Sequence, residues 1–350
     1  MTATTPSRRI RVLVVDDSAL VRKAITDALA DDPEIEVVGS ACDAYVAREK
    51  IERLDPDVIT LDLEMPRMDG LTFLRILMEH HPLPVVVVSS LTQEGSQAAM
   101  DAVEAGAVDV LAKPDGTLSI GALADRLAYH VKAAAAAAGR LRRPAPRTVA
   151  AEPVPAAARF DPRGLIVIGA STGGVEALRT VLPRLPLGLP PIAVVQHSSA
   201  HFSRIVAERL AAACSVHVRE AGDGEPLESG TCVLAPGDHH LAVERHGDGF
   251  RTRLLRTPPV HHCRPAVDVL FRSAAEAAGA GVVAALMTGM GSDGALGLQA
   301  IRRAGGTTIA QDEAPCVGFG MPRGAVALGA VERVVPLAAI PEAIVAAVAR

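Results

Sequence analysis

Short apolar runs alternate with helical patterns along most of this 350-residue chain, and that alternation limits its fold more than any single motif. Strands buried on both faces read as unbroken apolar runs, and the helices covering them carry apolar residues at three- and four-residue spacing. Apolar runs at 10–16, 36–41, 57–63, 84–89 and 108–113 are separated by helical spacing at 18–30, 43–53, 70–80 and 96–106. A fifth helical stretch follows at 118–137. This pattern predicts a parallel sheet covered by helices on both faces, with polar chemistry collected beyond the carboxyl ends of the strands.

The same pattern returns after residue 164, where Leu165-Ile166-Val167-Ile168-Gly169-Ala170-Ser171-Thr172-Gly173-Gly174 leads directly into Val175-Glu176-Ala177-Leu178. It reads as buried strand, tight turn and helix start. Gly169, Ser171 and Gly173 fit the nucleophile elbow, in which a strained turn lifts a serine hydroxyl off the sheet edge. A glycine-rich dinucleotide turn and a plain tight connection fit the same residues. Further buried strands are expected at 191–197, 281–287, 307–310 and 331–335, and shorter ones at 216–220 and 231–235. Leu241–Arg245 and Arg251–Leu255 flank His246-Gly247-Asp248-Gly249 as a hairpin. Helices are expected at 202–213, from Arg264 to about Gly279, after Gly294, and at 341–349. This half is therefore read as a doubly wound, mainly parallel α/β unit.

Charge separates the two halves. Residues 1–139 carry a net −9, residues 140–163 carry +4, and residues 164–350 are neutral. An acidic first unit and a neutral last one argue against nucleic acid as a partner, and no helix-turn-helix pattern suggests a transcription factor. The basic stretch is rich in proline, with Arg140-Leu141-Arg142-Arg143-Pro144-Ala145-Pro146-Arg147, and reads as a semi-extended connector after a helix that Gly139 is expected to stop. The organisation is thus 9–137, a linker at 138–163, and 164–350. No apolar run is long enough to span a membrane, and the start lacks the apolar core of a secretory signal. Five scattered cysteines without a C-x-x-C pair fit reduced thiols in the cytoplasm.

In the first unit the polar residues fall where the fold would use them. Asp16 and Asp17 close the first strand, Asp62 lies near the end of the third, Ser89 ends the fourth and Lys113 ends the fifth. One aspartate alone is most simply a helix N-cap. Three carboxylates brought together repel unless a divalent cation lies among them, and oxygen-only ligands suit magnesium. Val14-Val15-Asp16-Asp17-Ser18, Leu61-Asp62-Leu63-Glu64-Met65-Pro66-Arg67-Met68-Asp69-Gly70 and Ala112-Lys113-Pro114 resemble the receiver domain of two-component response regulators. The resemblance implies a flavodoxin-like (βα)5 fold, phosphorylation of Asp62 by a histidine kinase, and phosphoryl contacts from Ser89 and Lys113. It implies Mg²⁺ held by Asp17, Asp62 and the backbone carbonyl of Glu64, with Asp16 acting through water. Receivers usually carry an aromatic residue three positions before the lysine, where this chain has Val110.

In the second unit Ser171, His197 and Asp293 finish buried strands or begin the helices after them, which places them on one sheet edge. A serine polarised by an imidazole that a carboxylate orients is the acyl-transfer constellation. The order Ser…His…Asp differs from that of α/β-hydrolases. Gln196-His197 stands where a dinucleotide fold needs an acidic residue for ribose, which disfavours nucleotide binding. His239-His240 and His261-His262 read as loop residues, because no second ligand group near Cys263 has zinc spacing, and no cofactor is expected in this half. Arg264 is read either as a guide for an anionic substrate or as a surface residue.

Ile168–Gly174, Gln196-His197, Ala235-Pro236-Gly237-Asp238, Arg264–Phe271, Met287–Ala295, Ala310-Gln311-Asp312-Glu313 and Gly320-Met321-Pro322 resemble the chemotaxis protein-glutamate methylesterases. With the receiver the resemblance covers essentially the whole chain. It implies Ser171 as nucleophile, His197 as general base and acid, Asp293 as orienting carboxylate, and an oxyanion site near Thr172 and Met290. The activity implied is a phosphorylation-regulated demethylation of glutamyl methyl esters, and deamidation of glutamines, on methyl-accepting chemotaxis receptors. The expected protein is a cytoplasmic monomer without membrane insertion, whose unphosphorylated receiver hinders access to the catalytic edge. Ser198-Ser199 replaces the Met-Pro that usually follows the histidine. That departure and Val110 leave a rival reading, a phosphorylation-gated receptor-binding protein with a decayed esterase site.

Overall fold

A computed structural model describes residues 8–89, 93–113, 120–141, 160, 163–314 and 316–349. The chain divides into two compact units, Met1–Pro144 and Ala145–Arg350. Most of the expected linker, at 142–159 and 161–162, lies outside the described residues.

The first unit holds β1 (Ile10–Val15), β2 (Ile35–Ala41), β3 (Val58–Leu61), β4 (Val85–Ser89) and β5 (Asp109–Ala112) in one sheet of order β2-β1-β3-β4-β5. Every pairing is parallel, and Val12 to Val15, Val58 to Leu61 and Val85 to Ser89 are buried. The intervening helices are α1 (Ala19–Ala30), α2 (Ala44–Leu54), α3 (Gly70–His80), α4 (Gln93–Glu104) and α5 (Ile120–Leu141). Caps begin three of them: Ser18 accepts from the Val21 amide, Asp43 from Tyr45 and Val46, and Asp69 from Thr72. The cap of α1 is therefore Ser18, and the N-cap explanation does not account for Asp16 or Asp17. Gly139 does not stop α5, which runs two residues further to Leu141. A glycine costs a helix only about 1 kcal/mol, and helix propagation from the alanine run before it carries the chain through.

The second unit contains β6 (Leu165–Ala170), α6 (Gly174–Val181), β7 (Ile192–Gln196), α7 (Ala200–Ala213), β8 (His217–Glu220), β9 (Pro226–Leu227) and β10 (Thr231–Leu234). It continues with β11 (His240–His246), β12 (Gly249–Leu255), α8 (Val267–Ala278), β13 (Val282–Leu286) and α9 (Ala295–Arg303). The last elements are β14 (Thr307–Gln311), α10 (Gly320–Ala327), β15 (Arg333–Val335) and α11 (Ile340–Val348). Seven strands pair in parallel in the order β15-β14-β13-β6-β7-β10-β8, and β11-β12-β9 form a small antiparallel sheet. From β6 the chain first builds outward through β7 and later returns through β13 to the other side. That reversal puts a crevice at the carboxyl ends of β13, β6 and β7, three adjacent central strands.

The expected helix from Arg264 begins instead at Val267. Pro265 disfavours helical backbone in the residue before it, so the helix starts beyond the Arg-Pro step. Within α8, Phe271 is fully buried, and Gly297 of α9 packs so closely that an added Cβ would stand 2.5 Å from the Phe271 Cβ. That close approach seats α8 against α9, with the Phe271 side chain wholly inside the core. Phe271→Ala should cost about 3–5 kcal/mol of stability. Denaturant unfolding of the full chain checks this, and a loss below about 1 kcal/mol would contradict the packing described.

Candidate active site

The loop after β6 is built to hold a serine side chain against its neighbours. The Ser171 amide donates to the Thr288 carbonyl at 2.9 Å, and the Gly174 amide turns back onto the Ser171 carbonyl at 2.7 Å. Gly173 adopts φ +73°, a left-handed conformation that a side chain would strain. The backbone at Gly289 presses against Ser171 so closely that an added Cβ would stand 2.8 Å from the Ser171 Cβ. Thr288 closes the arrangement, donating from Oγ1 to the Thr172 carbonyl and accepting from the Gly318 amide, each at 3.0 Å.

The three residues expected on one edge do meet. His197 Nδ1 lies 3.0 Å from Ser171 Oγ, and His197 Nε2 lies 2.7 Å from Asp293 Oδ2. Ser171 and Asp293 are each 2% exposed, so the chain of hydrogen bonds lies beneath the surface. A carboxylate only accepts, which puts the ring proton of neutral His197 on Nε2 and the lone pair on Nδ1, towards the serine. The ring is thus reversed relative to the chymotrypsin-type triad, where Nε2 faces the hydroxyl. Gln196 supports the edge from beneath, its amide donating to the carbonyls of Ser171 at 2.9 Å and His197 at 3.1 Å.

Asp293 is held by backbone as well as by the ring. Its Oδ1 accepts from the amides of Asp268 and Gly294, each at 2.9 Å, and its Oδ2 accepts from the Val267 amide at 2.7 Å. Burial pushes this carboxyl up, but His197 and the amides of Asp268 and Val267 outweigh it, so its pKa lies below the ordinary value. For His197, burial opposes the charged ring; the Cys263 sulfur and the Asp293 carboxylate overcome that and raise its pKa to about 10.

The remaining expected residues fall as follows. Thr172 is fully buried beside Ser171, and its Oγ1 has no partner among the described residues. Met290 follows Gly289 on the strand of chain that abuts Ser171. Ser198 and Ser199 lead into α7, with Ser199 at its N-cap and the Gly237 backbone packed against the Ser199–Ala200 step. Arg264 is committed to the protein, donating to Asp238 and to the Thr257 carbonyl at 3.1 Å, which favours the surface reading over a substrate guide.

His261, Asp268 and Asp293 also bring one ligand atom each within 4.8 Å of the others. Those atoms are already engaged: Asp268 Oδ1 accepts from the Gly297 amide at 2.7 Å, and its Oδ2 meets His261 Nε2 at 3.0 Å. With Asp293 bonded on both oxygens, this set is a hydrogen-bonded buttress. Asp268, Gln311 (Oε1 accepting from Thr288 N at 2.9 Å) and Cys263 are site residues that the sequence reading did not single out. Asp268 and Gln311 lie in stretches that carry the family resemblance, and Asp268 is also an acidic residue in an otherwise apolar helix start.

In the first unit Asp16 and Asp62 are 1% exposed and share Lys113 Nζ, at 2.9 Å and 2.7 Å. Burial raises the Asp62 pKa, Lys113 opposes it, and the neighbouring Asp16 charge adds to the rise. Burial lowers that of Lys113, and the two carboxylates more than restore it. Asp17 is exposed, and Asp16, Asp17 and Asp62 each bring an oxygen within 4.8 Å of the others. Glu64 donates its amide to Asp62 Oδ1 at 3.2 Å. Ser89 ends β4, fully buried, with an Oγ that has no partner among the described residues. The Lys113 amide donates to the Ser89 carbonyl at 2.9 Å, and carboxylates that can hold a divalent cation together with an ammonium fit a phosphoryl group.

Residues 166–344 match the family model of the CheB methylesterase, and residues 12–122 match that of the response regulator receiver domain. A protein-glutamate methylesterase/protein-glutamine glutaminase of Syntrophus aciditrophicus is 48% identical over 344 residues, covering 96% of this chain and 98% of the relative. One from Pseudomonas aeruginosa is 50% identical over 341 residues, covering 97% of each chain. The crystal structure of the Thermotoga maritima CheB methylesterase catalytic domain covers 52% of this chain and 97% of its own, with 37% identity and a TM-score of 0.51. With two matched domains in this order and full-length relatives near half identity, the chain belongs to the CheB methylesterase family of response regulators.

Proposed function

We propose that this protein is a phosphorylation-regulated serine hydrolase that removes methyl groups from glutamyl methyl esters of chemotaxis receptors. The observation that carries the reading is the unbroken Ser171–His197–Asp293 hydrogen-bond chain, at 3.0 Å and 2.7 Å, in the segments that follow three adjacent parallel strands. The names of its relatives support the substrate class. Nothing in the geometry favours a decayed site.

Ser171 Oγ attacks the γ-carbonyl carbon of the ester while His197 Nδ1 takes the hydroxyl proton. The imidazolium, held by Asp293, returns that proton to the departing methoxide, and methanol leaves. Water then attacks the acyl-enzyme by the same route, giving glutamate and regenerating Ser171. Amides near Thr172 and Met290 serve as the oxyanion donors, a contribution of a few kcal/mol to lowering the barrier. A glutamine side chain passes through the same acyl intermediate with ammonia as leaving group, which is the glutaminase activity. Ser171→Ala should lower methanol release from methylated receptor membranes by roughly 10⁴-fold or more. Turnover near that of the unaltered protein would refute the assignment.

The first unit supplies control. Asp62 is the phosphoryl acceptor, with a histidine kinase as donor, and Ser89 and Lys113 hold the phosphoryl oxygens. Asp16, Asp17, Asp62 and the carbonyl of Glu64 would hold Mg²⁺, which neutralises the charge gathered on the transferring group. Phosphorylation of Asp62 shifts the population towards a state with higher esterase activity. Among the described residues no helix is long and apolar enough to cross a membrane. A monomer in the cytoplasm, meeting receptors at their cytoplasmic helices, fits these elements together. Asp62→Asn should erase the difference in esterase rate between samples with and without a small acyl phosphate and Mg²⁺. Persistence of that difference in the variant would place control elsewhere.

A further inference from the structure

Gln196 ends β7 with its side chain buried between the nucleophile and the base. Its one amide nitrogen spends both hydrogens on backbone carbonyls, that of Ser171 at 2.9 Å and that of His197 at 3.1 Å. We propose that Gln196 is a positioning residue for the hydrolysis: by fixing the Ser171 carbonyl it aims the Thr172 amide at the oxyanion of the tetrahedral intermediate. The inference rests on the serine hydrolase reading above.

The peptide unit itself transmits the effect. The Ser171 carbonyl accepts from two donors, the Gly174 amide at 2.7 Å and Gln196 Nε2. The Ser171–Thr172 peptide is trans, so its N–H points opposite to its C=O. Two donors on the oxygen therefore set the direction of the hydrogen on Thr172 as well. The next carbonyl, that of Thr172, is held separately by Thr288 Oγ1 at 3.0 Å, which fixes the turn from its other side. Thr172 is fully buried, and its amide donates to no group among the described residues. A buried amide without an acceptor is rare and costly, and here it adjoins the serine whose attack creates a negative oxygen.

The chemistry of the position calls for a carboxamide. Two carbonyl oxygens converge on one atom, and a single nitrogen with two hydrogens meets both. A carboxylate of the same shape would set oxygen against oxygen, and an aliphatic chain would supply no donor. The orientation is also fixed by shape. Gln196 Oε1 lies so close to Gly174 that an added Cβ there would stand 2.0 Å from it. The glycine after Gly173 thus makes room for the amide that holds the turn, a requirement separate from the left-handed backbone at Gly173.

The test is the reaction of the full-length protein with a neutral alkyl fluorophosphonate, run beside methanol release from methylated receptor membranes. In labelling, Ser171 Oγ bonds to phosphorus, the P–F bond breaks, fluoride leaves and His197 takes the hydroxyl proton, while the phosphoryl oxygen occupies the oxyanion position. Gln196→Met keeps the length of the side chain without its donors, and Gln196→Glu keeps its shape. In both variants labelling should still reach one group per chain. Its rate constant and kcat for methanol release should each fall by about tenfold or more, with KM changed by less than about twofold. In Gln196→Met the acid limb of the pH profile should stay in place, because Asp293 still holds the ring; a shifted limb would put the effect on His197 and overturn the inference. A side chain that only ties strand ends together would lower the labelled fraction or the melting temperature at an unaltered rate, which also overturns it. Gln196→Glu keeps the test open where the methionine variant does not fold. Ser171→Ala separates the two readings. Methanol release or labelling retained there removes the serine mechanism, whereas labelling confined to Ser171 with unaltered rates in the Gln196 variants removes only the role of Gln196.

Discussion

The catalytic unit depends on one buried carboxylate. Asp293 takes three backbone amides and one imidazole, which join the start of α8, the start of α9 and the end of β7 at a point beneath the surface. An ionised carboxylate buried without such partners would cost several kcal/mol. With them it keeps its charge and imposes a tautomer on His197. The direction of the serine proton follows from that tautomer, so packing of α8 and the chemistry at Ser171 are consequences of the same contact. Phe271 and Gly297 belong to this argument too, because they hold α8 at the distance its amides need.

Much of this was legible in the sequence, for a physical reason. Parallel strands must be apolar on both faces, so their ends are where polar residues can first appear, and reading those ends finds Asp16, Asp62, Ser89, Lys113, Ser171, His197 and Asp293 together. Helices with strong capping residues, such as α2 behind Asp43 and α3 behind Asp69, begin within a residue or so of their expected positions. Other elements carried no such signal. α10 spans Gly320–Ala327, with two glycines and a proline in eight residues, and tertiary packing of Met321 and Ala325 overrides its poor propensity. The two-residue strand β9 has no period at all.

Cys263 was hidden for a different reason. Its contact with His197 joins positions 66 residues apart through a turn whose two central residues are histidines. Left-handed backbone is expected of glycine or asparagine, so His261-His262 gives no hint of a tight turn. The adjoining histidines also direct attention to metal ligation, whereas in the fold His261 serves Asp268 and the thiol faces the catalytic ring. A residue judged by its neighbours in sequence is here explained only by its neighbours in space.

The two units place the same kind of group at the same kind of edge and surround it differently. Asp62 and Asp293 are both buried at the carboxyl ends of parallel strands, and burial pushes both carboxyls up. Asp293 answers with three amides and a ring, whose hydrogen bonds use both its oxygens and hold its charge. Among the described residues Asp62 has one shared ammonium and one amide, and the charge of Asp16 works against it. Its pKa stays raised, so its charge is left incompletely compensated. A carboxylate in that state gains from a cation among its neighbours. The number of hydrogen bonds each carboxylate receives among the described residues, more than its position in the fold, sets how fully its charge is compensated.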